Sequence, residues 1–255
     1  MYKLTNASFE IDGKKILSPT QLTFEPKKVT TLLGHNGCGK STLMKLLSRQ
    51  NAPTQGEVFF NEQLLSSYSN LEFAHQVAYL PQHPPITDGV TVRELVCFGR
   101  YPWKGAFGRY SKEDYQIVDE AIEKVGLNDF SDRFVATLSG GERQRAWVAM
   151  LLAQKSQCIL LDEPTSALDV AHQHELLSLI RELNQSLGLT VIMVLHDVNM
   201  AAKFSDHLIA LHSGEVVASG SPKELMTPET LMKIYGMELA LFDHPETGQP
   251  ISYIP

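Results

Sequence analysis

The nine residues Gly34-His35-Asn36-Gly37-Cys38-Gly39-Lys40-Ser41-Thr42 constrain this chain more than any other stretch. Gly34 and Gly39-Lys40-Ser41 stand at the G-x-x-x-x-G-K-[ST] spacing of a phosphate-binding loop. The motif needs a strand before it and a helix after it, and both are legible. Residues 29–33 are apolar and β-branched, as a buried parallel strand should be. Leu43, Leu46 and Leu47 fall at i, i+3, i+4, the period of a helix with one buried face. Glycines let successive backbone N–H groups turn inward around a phosphate, and the helix N-terminus adds positive partial charge. Lys40 is then expected at the β and γ phosphates and the Ser41 hydroxyl on Mg²⁺. The stretch implies a chain that binds a nucleoside triphosphate.

Composition narrows the rest. A chain of 255 residues can bury a real core, and 43% hydrophobic with 20% charged residues is ordinary for a globular protein. A net charge of −7 argues against nucleic-acid binding driven by bulk charge. Three cysteines, Cys38, Cys97 and Cys158, make an odd number with no pair at metal spacing, which points to a reducing compartment without a disulfide framework. The first residues lack the apolar core of a signal peptide. The longest apolar run, 146–153, is far short of the roughly 20 residues a membrane span needs. A cytoplasmic location is expected, with any membrane crossing left to another chain.

Strand and helix signals alternate along the chain. Asp12-Gly13 marks a hairpin between 7–11 and 14–17, and short strands are expected at 57–61 and 77–80. From 91 to 154 the pattern turns helical. Thr91 and Ser111 are placed to cap helices, Gly126 to end one, and residues 99–109 between them read as a loop rich in glycine and aromatics. Strands resume at 158–161, 190–195, 207–212 and 215–218, with a helix over about 171–187. Ser221-Pro222 and Thr227-Pro228 each open a further helix. The expected architecture is one α/β domain over 1–255: a mostly parallel sheet with an antiparallel β edge, a helical subdomain inserted at 91–154 and an extension at 221–255. Ligands should bind at the strands' C-terminal ends.

Three further groups carry chemistry. The apolar strand 158–161 ends in Asp162-Glu163; the first carboxylate can hold Mg²⁺ and the second can orient or deprotonate the water that attacks the γ-phosphate. Gln82 and His196 each follow an apolar strand and can touch Mg²⁺, water or the γ-phosphate, but on spacing alone a residue so placed is more often structural. In Leu138-Ser139-Gly140-Gly141-Glu142-Arg143-Gln144-Arg145, Ser139 and Glu142 form a capping box and the glycines bare a helix N-terminus. That is a second anion site in a chain with one phosphate loop. A two-fold dimer, each chain's second site closing over its partner's nucleotide, gives both a use. His172 and His174 are i, i+2 on a helix and face different ways, so a metal site there is not expected. Cys38 reads as a bystander of the loop, and Arg143 and Arg145 as solvated or interfacial.

In this arrangement the chain resembles the nucleotide-binding subunit of an ATP-binding cassette transporter, and the resemblance covers nearly all of it. Residues 34–42 are similar to the Walker A loop, Gln82 to the Q-loop, 138–144 to the signature, 159–162 to Walker B, and 166–169, ending in Asp169, to the D-loop. Glu163 matches the catalytic carboxylate and His196 the switch histidine. The resemblance implies a P-loop fold, ATP and Mg²⁺ as cofactors, with Ser41, Gln82 and Asp162 toward the metal and Lys40, Gln82, Glu163 and His196 in catalysis. It implies Ser139, Gly140, Gly141 and Glu142 on the partner chain's ATP and Asp169 at the dimer contact. Ile11 stands where many members stack an aromatic on adenine and supplies no π-face. The run 99–109, Trp147, Tyr235-Gly236 and His244-Pro245 are similar to importers of ferric siderophores, haem and cobalamin, the ferric hydroxamate importers above all. That implies a homodimer beneath membrane-spanning permease subunits at the inner face of the cell membrane, with a substrate-binding protein acting indirectly and no nucleic acid. A soluble ATPase of the same superfamily, acting in translation or DNA repair, is the rival class.

Overall fold

The computed structural model describes every residue except 86, 87, 106, 107 and 247, so Ala106 and Phe107 of the 99–109 run lie outside it. The chain divides into two compact units, Met1–Tyr68 with Leu183–Pro255, and Ser69–Glu182.

In the first unit β1 (Tyr2–Ile11) and β2 (Lys14–Phe24) form the hairpin around Asp12-Gly13, both in the left-handed region at φ 50° and 74°. Both strands run longer than alternation suggests, because register shifts between Leu4 and Phe9 break the period-two pattern. Then come β3 (Val29–Leu33), α1 (Lys40–Leu47), β4 (Gln55–Phe60) and β5 (Gln63–Leu64). β2, β1, β4 and β5 lie side by side as the antiparallel sheet. Its core is aromatic: Tyr2 packs edge-on against Phe24 and Phe60, and its buried hydroxyl donates to the Leu47 carbonyl at 2.7 Å.

The second unit holds α2 (Asn70–Gln76), β6 (Val77–Leu80), α3 (Val92–Phe98), α4 (Tyr101–Lys104), α5 (Lys112–Lys124), α6 (Gly140–Ala153), β7 (Cys158–Leu161) and the greater part of α7 (Val170–Leu187). Thr91, Ser111 and Ser139 cap α3, α5 and α6 through capping boxes with Glu94, Asp114 and Glu142. Gly126 ends α5 at φ 69°. α3, α5 and α6 pack on one another around Leu95, Val96, Val118, Ile122, Trp147 and Leu151. The 99–109 run is not all loop: Pro102 sits in the first turn of α4.

The chain returns to the first unit with β8 (Thr190–Val194), α8 (Val198–Phe204), β9 (His207–His212), β10 (Glu215–Gly220), α9 (Pro222–Leu225), α10 (Pro228–Tyr235) and the hairpin β11 (Ala240–Asp243) and β12 (Pro250–Tyr253). β3 is parallel to both β8 and β9, and β10 adds antiparallel to β9. β3 and β8 are buried throughout, the signature of parallel strands covered on both faces. Among the described residues no helix is long and apolar enough to cross a membrane.

Candidate nucleotide-binding and hydrolysis site

Register decides which side chains meet. Leu32 pairs with Val194, and Gly34 and His196 each lie two residues further on, so the phosphate loop and His196 leave the same sheet edge side by side. The loop is shaped by its glycines. Gly34 has φ 143°, and a Cβ there would lie 2.2 Å from the Leu211 carbonyl oxygen; Gly39 has φ 104°, and its Cβ would lie 2.9 Å from that of Ile16. The Gly214 N–H donates to the Cys38 carbonyl at 3.0 Å and ties the loop to the β9–β10 turn. Lys40 is buried, and its ammonium donates to the carbonyls of Gly34 at 2.8 Å and His35 at 3.0 Å, which holds it across the loop. His35 lies edge-on to His212 at 4.7 Å, and Asn36 and Gly37 are exposed. Ser41 and Thr42 follow Lys40 in the first turn of α1 and are half-buried. Cys38 is fully buried 3.9 Å from the Lys40 ammonium; burial pushes its thiol up, and the lysine charge only partly opposes that. Ile11 stands at the tip of β1, 51% exposed.

The same logic works in the second unit. Leu80 pairs with Leu161, so Gln82 and Glu163, each two residues on, emerge together, and the Gln82 amide donates to the Glu163 carboxylate at 2.5 Å. Glu163 has φ 52°, a left-handed conformation that is uncommon for a residue with a Cβ. Asp162 before it is 4% exposed, and its N–H donates to the Leu80 carbonyl at 2.9 Å.

At the start of α6 the Ser139 hydroxyl accepts from the Glu142 N–H at 3.3 Å, and the Ser139 N–H donates to the Glu142 carboxylate at 2.8 Å. That backbone bond holds the Glu142 carboxyl below its usual value. The cap satisfies the helix end locally and leaves the N–H groups at Gly140 and Gly141 at the turn. A cavity of about 370 Å³ is lined by Gln82 and Glu163 together with Gly140, Arg143, Trp147 and Leu168. Arg143 is held within its own chain, donating to the carbonyls of Ala136 and Leu138, and Arg145 pairs with Glu175 at 3.4 Å. Asp169 accepts from the backbone N–H and the ring of His172, each at 2.9 Å.

Two contacts were not legible in the sequence. Tyr235 reaches the His196 carbonyl with its hydroxyl at 3.4 Å, and burial with the nearby Asp197 charge pushes its phenol up to about 12. The His172 ring sits against the glycine turn of α6. Among the described residues no three of His, Cys, Asp and Glu cluster as for a metal.

A glycine loop between a buried parallel strand and a helix, a strand ending in Asp-Glu, and a second capped helix N-terminus define a P-loop ATPase. The family described as ABC transporter matches residues 17–166, and the chain belongs to it, as an ATP-binding and ATP-hydrolysing cassette. It is similar to the ferric enterobactin transport ATP-binding protein FepC of Escherichia coli K12, 45% identical over 87% of this chain and 82% of that protein. It is also similar to the iron(3+)-hydroxamate import ATP-binding protein FhuC of Bacillus subtilis 168, 42% identical over 92% of this chain and 88% of that one. Among solved structures it superposes on the dimeric structure of MJ0796, a bacterial ABC transporter cassette, with TM-score 0.75 and 27% identity over 87% of this chain and 99% of that one.

Proposed function

We propose that this chain is the ATPase of a ferric siderophore importer, working as a homodimer on the cytoplasmic face of the cell membrane beneath two membrane-spanning permease subunits. A substrate-binding protein would act upstream of them. The observation that carries the dimer is the pair of anion-binding features in one chain, one phosphate loop and one bared helix N-terminus at Gly140-Gly141. In a two-fold pair, Gly34, Gly37, Gly39, Lys40, Ser41 and Thr42 of one chain cradle an ATP that Ser139, Gly140 and Gly141 of the other cover. Closure of the dimer pushes the permeases to release cargo inward, and hydrolysis resets it.

Glu163 is the residue that orients and deprotonates the attacking water, aimed by the amide of Gln82. His196, on the loop's own sheet edge, contacts the γ-phosphate and steadies the water. The Ser41 hydroxyl, the Gln82 amide oxygen and the Asp162 carboxylate are hard oxygen donors of the kind Mg²⁺ selects. When bound, Mg²⁺ supplies charge neutralisation on the phosphates. Ile11 packs on the base without stacking.

Cargo is a finer matter, because nothing in this subunit's chemistry recognises iron. The likeness of the 99–109 run supports a ferric hydroxamate, and the higher identity to the enterobactin protein favours ferric enterobactin as the second reading. Cells lacking the protein, complemented with wild type or Glu163→Gln, are tested for uptake of labelled ferric hydroxamate, ferric enterobactin, haem and cobalamin. Return of hydroxamate uptake alone, and only with wild type, supports the reading. Return of another cargo moves the assignment to that cargo, and return of none overturns the importer role.

A further inference from the structure

We infer that His172 is a positioning residue that locks the glycine turn of α6 to the 166–169 turn, so that the two move against a bound nucleotide as one piece. The inference rests on the reading that Gly140-Gly141 cover the partner's ATP and that Asp169 lies at the dimer contact.

Asp169 opens α7, and its carboxylate accepts from the backbone N–H of His172 at 2.9 Å. That bond is an ordinary helix cap, and any non-proline residue at 172 would supply it. The imidazole adds something a cap does not need. Its Nδ1 lies 2.9 Å from both Asp169 oxygens, and since a carboxylate only accepts, Nδ1 carries the proton and donates. The other side of the ring faces Gly141: a Cβ there would lie 2.7 Å from the His172 Cδ2 and 3.2 Å from its Cγ. Gly140 is approached in the same way by Leu168, whose Cδ2 would lie 3.3 Å from an added Cβ. The side chain after His172 closes the other end of the turn, with the Gln173 amide donating to the carbonyls of Leu168 at 2.9 Å and Thr165 at 3.3 Å.

Asp169 and His172 side chains are 66% and 42% exposed, so their pairing contributes little to folding. What it fixes is geometry. With the ring pinned by Asp169 on one side and wedged against Gly141 on the other, the 166–169 turn cannot shift without moving the N-terminus of α6. Gly141 is glycine partly because a histidine ring fills the space a Cβ would take.

The test uses the full chain in two backgrounds. In Glu163→Gln protein, ATP-dependent dimerisation is followed by sedimentation, and binding of a fluorescent ATP analogue is measured on the protomer; in protein with Glu163 intact, kcat and KM are measured. His172→Ala should leave analogue binding by the protomer within about twofold while weakening the dimer about tenfold and lowering kcat rather than raising KM. His172→Asn, whose amide can still donate to Asp169, should recover most of the loss, which a general folding defect would not. The pair Gly141→Ala and His172→Ala should be non-additive, the second change costing little once the first has displaced the ring. Wild-type dimerisation by His172→Ala, equal impairment by the alanine and asparagine variants, or strict additivity with Gly141→Ala would each overturn the inference. If Glu163→Gln with His172 intact fails to dimerise with ATP, the interface reading itself falls, and this inference with it.

Discussion

Gly34 and Gly37 both belong to the phosphate loop, and they are glycine for different reasons. At Gly37 an added Cβ meets nothing within 4 Å, but φ is 79°, so alanine there pays only the left-handed backbone penalty. At Gly34 φ is 143° and the Cβ would also strike the Leu211 carbonyl at 2.2 Å, an atom held near the end of β9, where Leu211 pairs with Val216. Gly37→Ala should therefore destabilise by about 1–2 kcal/mol, and Gly34→Ala by clearly more, read from urea unfolding midpoints of the two variants. Equal midpoints would mean the β9 backbone yields, contrary to its burial. Gly34 was legible from the motif spacing and Gly37 only as one more glycine inside the loop, whereas the reason for each needed the packing. The same holds for His172: two histidines at i, i+2 say only that no metal is expected, and the contact with Gly141 depends on a turn that sequence does not locate.

Asp114 shows how a helix start becomes a joint. It caps α5 with Ser111 and receives Arg100 at 3.1 Å and Lys104 at 2.8 Å from the segment that includes α4. Arg100 continues to the Ala153 carbonyl at the end of α6 and lies over Trp103, whose ring stacks on His75 at 4.0 Å. Burial alone would raise the Asp114 carboxyl, but bonds from Lys104, Ser111 and Arg100 outweigh it and hold it well below the carboxylate range. A depressed folded pKa gives stability that is complete above the unfolded value of 3.8 and fades as pH falls towards the folded one. Asp114→Asn should cost about 3 kcal/mol at pH 7, since it leaves a buried arginine without its partner. The gap to wild type should narrow below about pH 4, and thermal melts at neutral and acid pH check both. α4 itself was hidden because a single turn inside a glycine-rich run carries no period. α2 was missed although Ser69 and Glu72 form the same capping box that marks Ser139 and Glu142, because its seven residues give too few apolar repeats. The β11–β12 hairpin lacks a two-residue turn signal, its strands being joined by residues 244–249. The short, fully buried strands β3, β7 and β8, by contrast, could be read directly, since parallel strands announce themselves as apolar runs.

At the scale of the molecule, Gln82 and His196 were weak on spacing alone and took their expected roles from the resemblance; register adds where they stand, each two positions past a paired strand residue, beside Glu163 in one unit and beside the phosphate loop in the other. A chain built this way binds ATP with groups that Glu163 does not share. Glu163→Gln changes a proton acceptor into a neutral amide of the same shape, and its oxygen can still accept from Gln82, so the loop at φ 52° has no reason to rearrange. The variant should keep ATP affinity within about threefold and lose turnover by at least a hundredfold, the range expected for removing a general base. With hydrolysis blocked, nucleotide stays in place and the closed pair accumulates. Sedimentation with ATP should then give a stable dimer, while ADP should give the protomer. Wild-type turnover would remove Glu163 from the chemistry, and a slow variant that stays monomeric with ATP would instead remove the two-chain site, so the two outcomes separate the catalytic assignment from the assembly.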